Sequence, residues 1–202
     1  MTLVVHLIRH AAHGLLGRVL TGRMPGVPLS PEGRAQAERL AGRLAGRLAG
    51  APVRAVQTSP LERARETAAP IAARLNLPLD TAPALDEIDF GAWTGRSFDA
   101  LQDDPDWRRW NGARGLARPP GGESMAAVQA RMRDHIEDLR AAHPDGQVAL
   151  VSHCDVIRAT LLLYLGLSAD AYDRIAVDPA SVSTVAVGDW GARILTLNEA
   201  CP

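Results

Sequence analysis

The sequence predicts an α/β protein, a three-layer α/β/α sandwich whose mostly parallel central sheet carries an antiparallel edge strand from a C-terminal hairpin. Three observations predict it. Short runs of branched apolar residues alternate with longer stretches whose apolar residues recur at helical spacing. The runs at 3–8 and 148–151 read as buried on both faces, as parallel strands are, and each gives way to polar residues at its carboxyl end. The last two runs, 182–187 and 193–197, are joined through Gly188-Asp189-Trp190-Gly191, which reads as a hairpin.

Taken in order, Leu3 to Ile8 is the first strand, followed by Arg9-His10 and a Gly-rich loop from Gly14 to Gly26. Ser30 is an N-cap with Pro31 at the first helical position, and Ala37, Leu40, Leu44 and Leu48 form the apolar stripe of the helix. Arg-Leu-Ala-Gly recurs through residues 39–50, a local duplication inside that helix, where Gly42 and Gly46 each cost about 1 kcal/mol relative to alanine. Val53 to Gln57 is a second strand. Ser59, Pro60 and Glu62 form a capping-box pattern that opens a helix to about Leu75, which Pro70 is expected to kink or end. A short strand follows near Leu79, then a loop from Leu85 to Trp93 with Asp86, Glu87 and Asp89 close together.

Residues 96–122 read as a lid-like excursion with at most short helices. Ser124 caps a helix carrying Met125, Val128, Met132, Ile136 and Leu139, which stops before Pro144-Asp145-Gly146. Val148 to Val151 is a further strand, and an apolar helix from Val156 to Leu165 is closed by Gly166. The whole, 1–202, reads as one domain.

Composition narrows the chemistry. A net charge of −1 gives no global field for nucleic acid or an anionic membrane. All 22 basic residues are arginine, which removes Schiff-base chemistry and the P-loop lysine. Cys154 and Cys201 lie far apart, giving neither a disulfide framework nor zinc spacing, and a cytoplasmic location is expected. No secretory signal is read, because the first apolar run is broken at His6 and Arg9, and no run reaches membrane-spanning length. A homodimer is left open.

The polar residues at the strand ends carry the function. In a parallel sheet the carboxyl ends share one edge, so Arg9, His10, Arg63 and His153 can converge there, joined by Glu87 from its loop. Two arginines and two histidines around one point make a phosphate pocket, since guanidinium groups match phosphate oxygens bidentately. Asp86 and Asp89 compete with Glu87 as the acid. His6, His10 and His13 lack a matching carboxylate or cysteine set for a metal. His6 is read as a satisfied core histidine, and His13 as divided between substrate contact and solvent. Cys154 is read as a wall residue rather than a thiol nucleophile. Trp107-Arg108-Arg109-Trp110 makes a lid or surface packing better than a nucleic-acid stripe on a neutral protein, and Glu123 is divided between the pocket and the start of the helix after it.

These segments resemble the histidine phosphatase superfamily, the phosphoglycerate mutase-like group. Arg9-His10-Ala11 is similar to its Arg-His-Gly signature, and Thr58 to Ala64 looks like its second phosphate-binding segment. Leu85-Asp86-Glu87 with Phe90-Gly91-Ala92-Trp93 resembles its acid loop, and Val151 to Arg158 its second-histidine segment. The resemblance implies a metal-independent, cofactor-free phosphatase acting on a small phosphorylated metabolite. It implies His10 as nucleophile, Arg9, Arg63 and His153 as phosphoryl ligands, and Glu87 as general acid and base. It further implies substrate contacts at Thr21, Gly22 and Cys154. Ala11 and Cys154 stand where the family has glycine, and an asparagine common soon after the signature is missing. The alternatives are a phosphomutase, to which Arg108-Arg109 points, and a non-catalytic phosphate-binding module.

Overall fold

The computed structural model describes residues 1–200; Cys201, expected to be unpaired, lies outside the described residues, and Cys154 is a free thiol. The strands are β1 (Thr2–Arg9), β2 (Val53–Thr58), β3 (Leu79–Thr81), β4 (Gln147–Ser152), β5 (Val182–Gly188) and β6 (Gly191–Glu199). They form one sheet in the order β3-β2-β4-β1-β5-β6. Strands β1 to β4 run parallel, β5 runs against β1, and β6 covers β5 as the outer strand of the hairpin.

The helices are α1 (Pro31–Arg47), α2 (Glu62–Leu75), α3 (Phe98–Gln102), α4 (Pro105–Gly112), α5 (Met125–Ala142) and α6 (Cys154–Leu165). Alternation along β1 divides the core. Leu3, Val5 and Leu7 pack with Met125, Val128 and Met132 of α5 and Val156 and Ile157 of α6. Ile8 packs with Leu40 and Leu44 of α1 and Ala64, Ala68 and Ile71 of α2 on the other face. Each of these fully buried leucines, isoleucines and valines contributes about 1.5–3 kcal/mol of hydrophobic stabilisation. His6 is buried as expected, its ring bonded to Thr184 and Gln147. Among the described residues no helix is long and apolar enough to cross a membrane.

Ser30 caps α1 by accepting from the Gly33 N–H at 3.0 Å, and Ser124 caps α5 by accepting from the Ala127 N–H at 3.2 Å. The capping box expected at Ser59 does not form. Helix α2 starts at Glu62, its N-cap is Leu61, and Leu61 makes no side-chain cap. The Ser59 hydroxyl is engaged at the strand edge instead, and Glu62 reaches across to accept from the Val27 N–H at 2.9 Å. Nor does Pro70 end the helix, which stays helical to Leu75. The lost hydrogen bond falls on a partly exposed side, and packing of Ala64, Ala68 and Ile71 carries the helix across it. The excursion 96–122 does contain short helices, α3 and α4, and it is anchored inward by Leu101 and Trp110, both fully buried.

Candidate active site

The carboxyl ends of β1, β2 and β4 lie side by side. Arg9 is in register with Ser152, and Thr58 with Val151. The residues just beyond them therefore meet: His10 after β1, Ser59 and the first turn of α2 with Arg63 after β2, and His153 after β4. The loop that holds Glu87 is drawn to the same edge. Ser152 Oγ donates to Leu85 O at 2.7 Å, and Asp86 Oδ1 accepts from Ser59 Oγ at 3.2 Å and from the Glu87 N–H at 2.9 Å.

His10 is buried, and its Nδ1 lies 2.8 Å from Ala11 O. A carbonyl can only accept, so the proton sits on Nδ1 and Nε2 keeps its lone pair. Burial first, then Arg63 and Arg9, hold the ring well below the ordinary histidine range, so it is neutral near pH 7. Ala11 fits without strain: its backbone is ordinary and its N–H donates to Thr67 Oγ1 at 3.0 Å.

The His153 ring meets that of His10 edge-on, with centroids 5.1 Å apart. Its Nε2 lies 2.8 Å from Ser59 Oγ, whose own proton goes to Asp86, and Arg63 Nη2 donates toward its Nδ1 at 3.4 Å. His153 therefore carries its proton on Nε2, and burial followed by the neighbouring His10 and Arg63 keeps it neutral.

Arg63 also donates through Nη2 to Gly22 O at 2.6 Å, and Arg9 donates through Nη1 to Val177 O at 2.6 Å. Arg63 Nε and Nη1 and Arg9 Nε are buried with no hydrogen-bond partner. Leaving such donors unpaired costs on the order of 1–3 kcal/mol each, more for charged groups, so this cluster suits an anion that can accept from all of them.

Of the rival carboxylates, Asp86 is bonded as above, and Asp89 Oδ1 accepts from the Gly91 N–H at 2.8 Å. Glu87 alone of the three lines the cavity. Burial first, then the charge of Asp155, pushes its carboxyl up to about 7. Its Oε2 stands 3.9 Å from His153 Nδ1. With His153 neutral and Glu87 protonated below that value, this contact is not an ion pair.

Arg9, His10, Glu87, Thr21, Gly22 and Cys154 line a cavity of about 400 Å³, within the range of small-molecule sites. Arg63 and His153 lie immediately behind it, against Gly22 and His10. Six of the expected site residues thus line one cavity and the other two stand directly behind it. Among the described residues no group of His, Cys, Asp and Glu is arranged to hold a metal.

Residues 5–200 match the family model described as histidine phosphatase superfamily, branch 1. The chain belongs to the histidine phosphatase superfamily. Phosphoserine phosphatase 1 of Hydrogenobacter thermophilus is 31% identical over 175 residues, covering 86% of this chain and 81% of that protein. The adenosylcobalamin/alpha-ribazole phosphatase of Escherichia coli is 29% identical over 196 residues, covering 96% and 94%. The structure of a mycobacterial glucosyl-3-phosphoglycerate phosphatase superposes with a TM-score of 0.87 at 26% identity, covering 99% of this chain and 100% of that one. Like these relatives, this histidine phosphatase is a phosphomonoester hydrolase.

The mouth of this histidine phosphatase was only partly legible in its sequence. Arg108 and Arg109 are exposed, and neither lines the cavity; Arg108 donates to Asp103 O at 3.0 Å, so the pair that points to a mutase stands outside the site. Trp107 does line it, packed against Trp93 and Phe98 with centroids 5.3 and 6.2 Å away. Glu123 does not; it pairs with Arg131 and Arg23, and Arg23 in turn donates to Glu87 O at 2.7 Å.

Arg114 is the residue that sequence reasoning missed. It is buried at the mouth, paired with Asp155 at 3.0 Å and stacked 3.4 Å from the Tyr172 ring centroid. Its partners lie 41 and 58 residues away, and no local spacing announces them. Phe98, Val19 and Leu20 add apolar side chains to the lining. Cys154 is a wall residue, and burial pushes its thiol up to about 11, which keeps it protonated and unreactive.

Proposed function

We propose that the protein hydrolyses a small phosphomonoester through a phosphohistidine on His10. The observation that carries this reading is the set of buried, unpartnered guanidinium donors on Arg9 and Arg63 beside a neutral imidazole whose Nε2 lone pair is free. The arginines hold the phosphoryl oxygens and stabilise the charge that spreads over them in flight. His10 Nε2 attacks phosphorus, the ester P–O bond breaks, and Glu87 gives its proton to the leaving oxygen. The resulting Glu87 carboxylate then takes a proton from water as that water attacks the phosphohistidine. The P–N bond breaks and inorganic phosphate leaves. His153, behind the cavity and against both His10 and Arg63, is the further ligand proposed for the phosphoryl oxygens.

Hydrolysis rather than group return is favoured because the arginine pair resembling that of the mutases is outside the cavity. The alcohol side of the substrate meets a lining that holds both the apolar Trp107 and Phe98 and the polar Arg114–Asp155–Arg158 cluster. An alcohol with an apolar face and a polar edge fits both. The test is to incubate the protein with a panel of phosphomonoesters, and separately with a phosphoglycerate plus its bisphosphate activator, with EDTA present. Release of inorganic phosphate is expected throughout. Isomerisation of the phosphoglycerate without phosphate release would establish the mutase instead.

A further inference from the structure

We propose that His13 donates a hydrogen bond through Nε2 to the transferred phosphoryl group, a role that rests on the reading of the site given above. His13 is 6% exposed, lines the cavity, and its ring centroid lies 5.4 Å from that of His10. Two contacts fix it. Its backbone forms an antiparallel bridge with Leu29, and its Nδ1 faces the Leu15 N–H at 3.3 Å. A backbone N–H can only donate, so Nδ1 is the acceptor and the ring proton sits on Nε2. The remaining polar atom of the ring is therefore a donor, on a side chain in the wall beside the nucleophile.

The same surroundings fix its charge. Burial, then Arg63 and Arg9, hold His13 at about 4, so it stays neutral across the working range. A neutral imidazole N–H is too weak an acid to protonate a leaving group. What it can supply is a directed hydrogen bond to an anionic oxygen, of the charge-assisted kind that is stronger than a neutral one.

The experiment compares His13→Phe, which keeps a ring and loses the donor, with His13→Gln, whose side-chain amide nitrogen has the reach of Nε2. Steady-state hydrolysis of p-nitrophenyl phosphate and competitive inhibition by vanadate are measured together with thermal midpoints. His13→Phe is expected to lose roughly 10- to 100-fold in kcat/KM, the range for a hydrogen bond to a charged group, and to bind vanadate more weakly in proportion. His13→Gln is expected to stay within about five-fold of the parent. The pH profile above 5 keeps its shape in both, since the ring does not titrate there. Activity of His13→Phe within two-fold of the parent overturns the assignment, as does a loss in His13→Gln equal to that in His13→Phe. Should His13→Phe not fold, His13→Ala takes its place in the same comparison. His10→Ala separates the levels: if it still turns over, the reading of the whole site fails, whereas an inactive His10→Ala with an indifferent His13→Phe overturns only the role of His13.

Discussion

In the proposed mechanism Glu87 sets the pH behaviour of the site at the scale of one residue. Its carboxyl is raised to about 7 by burial and by Asp155, and as the proposed general acid it has to be protonated to release the alcohol. His10 is neutral already, its titration pushed far to the acid side. For an alkyl phosphate, kcat/KM is therefore expected to fall as pH rises above about 7. Glu87→Gln should abolish that limb and cost on the order of 10²–10⁴ in rate. In kcat/KM the cost should be much smaller for p-nitrophenyl phosphate, whose leaving group needs no proton, while kcat still falls because the attacking water loses its base; an unchanged alkaline limb in Glu87→Gln would assign it to another group. The same shift acts on stability. A carboxyl raised in the folded state favours folding least once it must ionise, so stability is lost as pH rises from the unfolded value toward 7. Above that pH, Glu87→Gln should be more stable than the parent by on the order of 2 kcal/mol in urea titrations. The sequence could not choose among Asp86, Glu87 and Asp89, because the choice is made by distant partners: Ser59 takes Asp86, and the Gly91 turn takes Asp89.

At the scale of elements, the legible part of the site was the part dictated by parallel strands. Arg9, His10, Arg63 and His153 follow strand ends, and strand ends share an edge whatever the loops do. The start of α2 was misread because Ser59 looks like a cap in sequence, whereas its hydroxyl serves His153 and Asp86. Arg114 was unreadable because its partners come from α6 and from the 169–174 turn. The glycines of α1 show the same division. An added Cβ at Gly33 would lie 1.9 Å from Ala12 O, the carbonyl that also accepts from the Ser30 N–H at 3.0 Å. The start of α1 is therefore pressed against the loop that leaves His10. At Gly46 an added Cβ meets no atom within 4 Å. Gly33→Ala should destabilise by on the order of 3 kcal/mol, while Gly46→Ala should stabilise by about 0.5–1 kcal/mol. Chemical denaturation of the two variants reads this directly, and equal effects of one sign would contradict the packing described for α1.

For the whole molecule, a net charge of −1 gives no overall field for an anion, so the anion binding proposed here rests on the unpartnered donors of Arg9 and Arg63. The sheet edge supplies the proposed phosphoryl site, and its mouth is shared by the excursion 96–122, the loop after β1 and the start of α6. The fold class could be read from periodicity and the mouth only in part: the excursion and Trp107 were singled out, whereas Phe98 and Arg114 lie in short or irregular stretches with little pattern. Trp107→Ala should raise KM for phenyl phosphate roughly 5- to 10-fold, the loss of one aromatic contact, with little effect on methyl phosphate. Equal effects on both esters would remove the apolar lining from specificity. The central claim is that side chains from distant segments deliver one phosphoryl group to His10. The most direct measurement is the intact mass of Glu87→Gln, in which breakdown of the intermediate is slowed, quenched in alkali after mixing with p-nitrophenyl phosphate and EDTA. The account predicts one added phosphoryl group, assigned to His10 by fragmentation and absent when His10→Ala is combined with Glu87→Gln; undiminished hydrolysis by His10→Ala, or a phosphoryl group on any other residue, would contradict it.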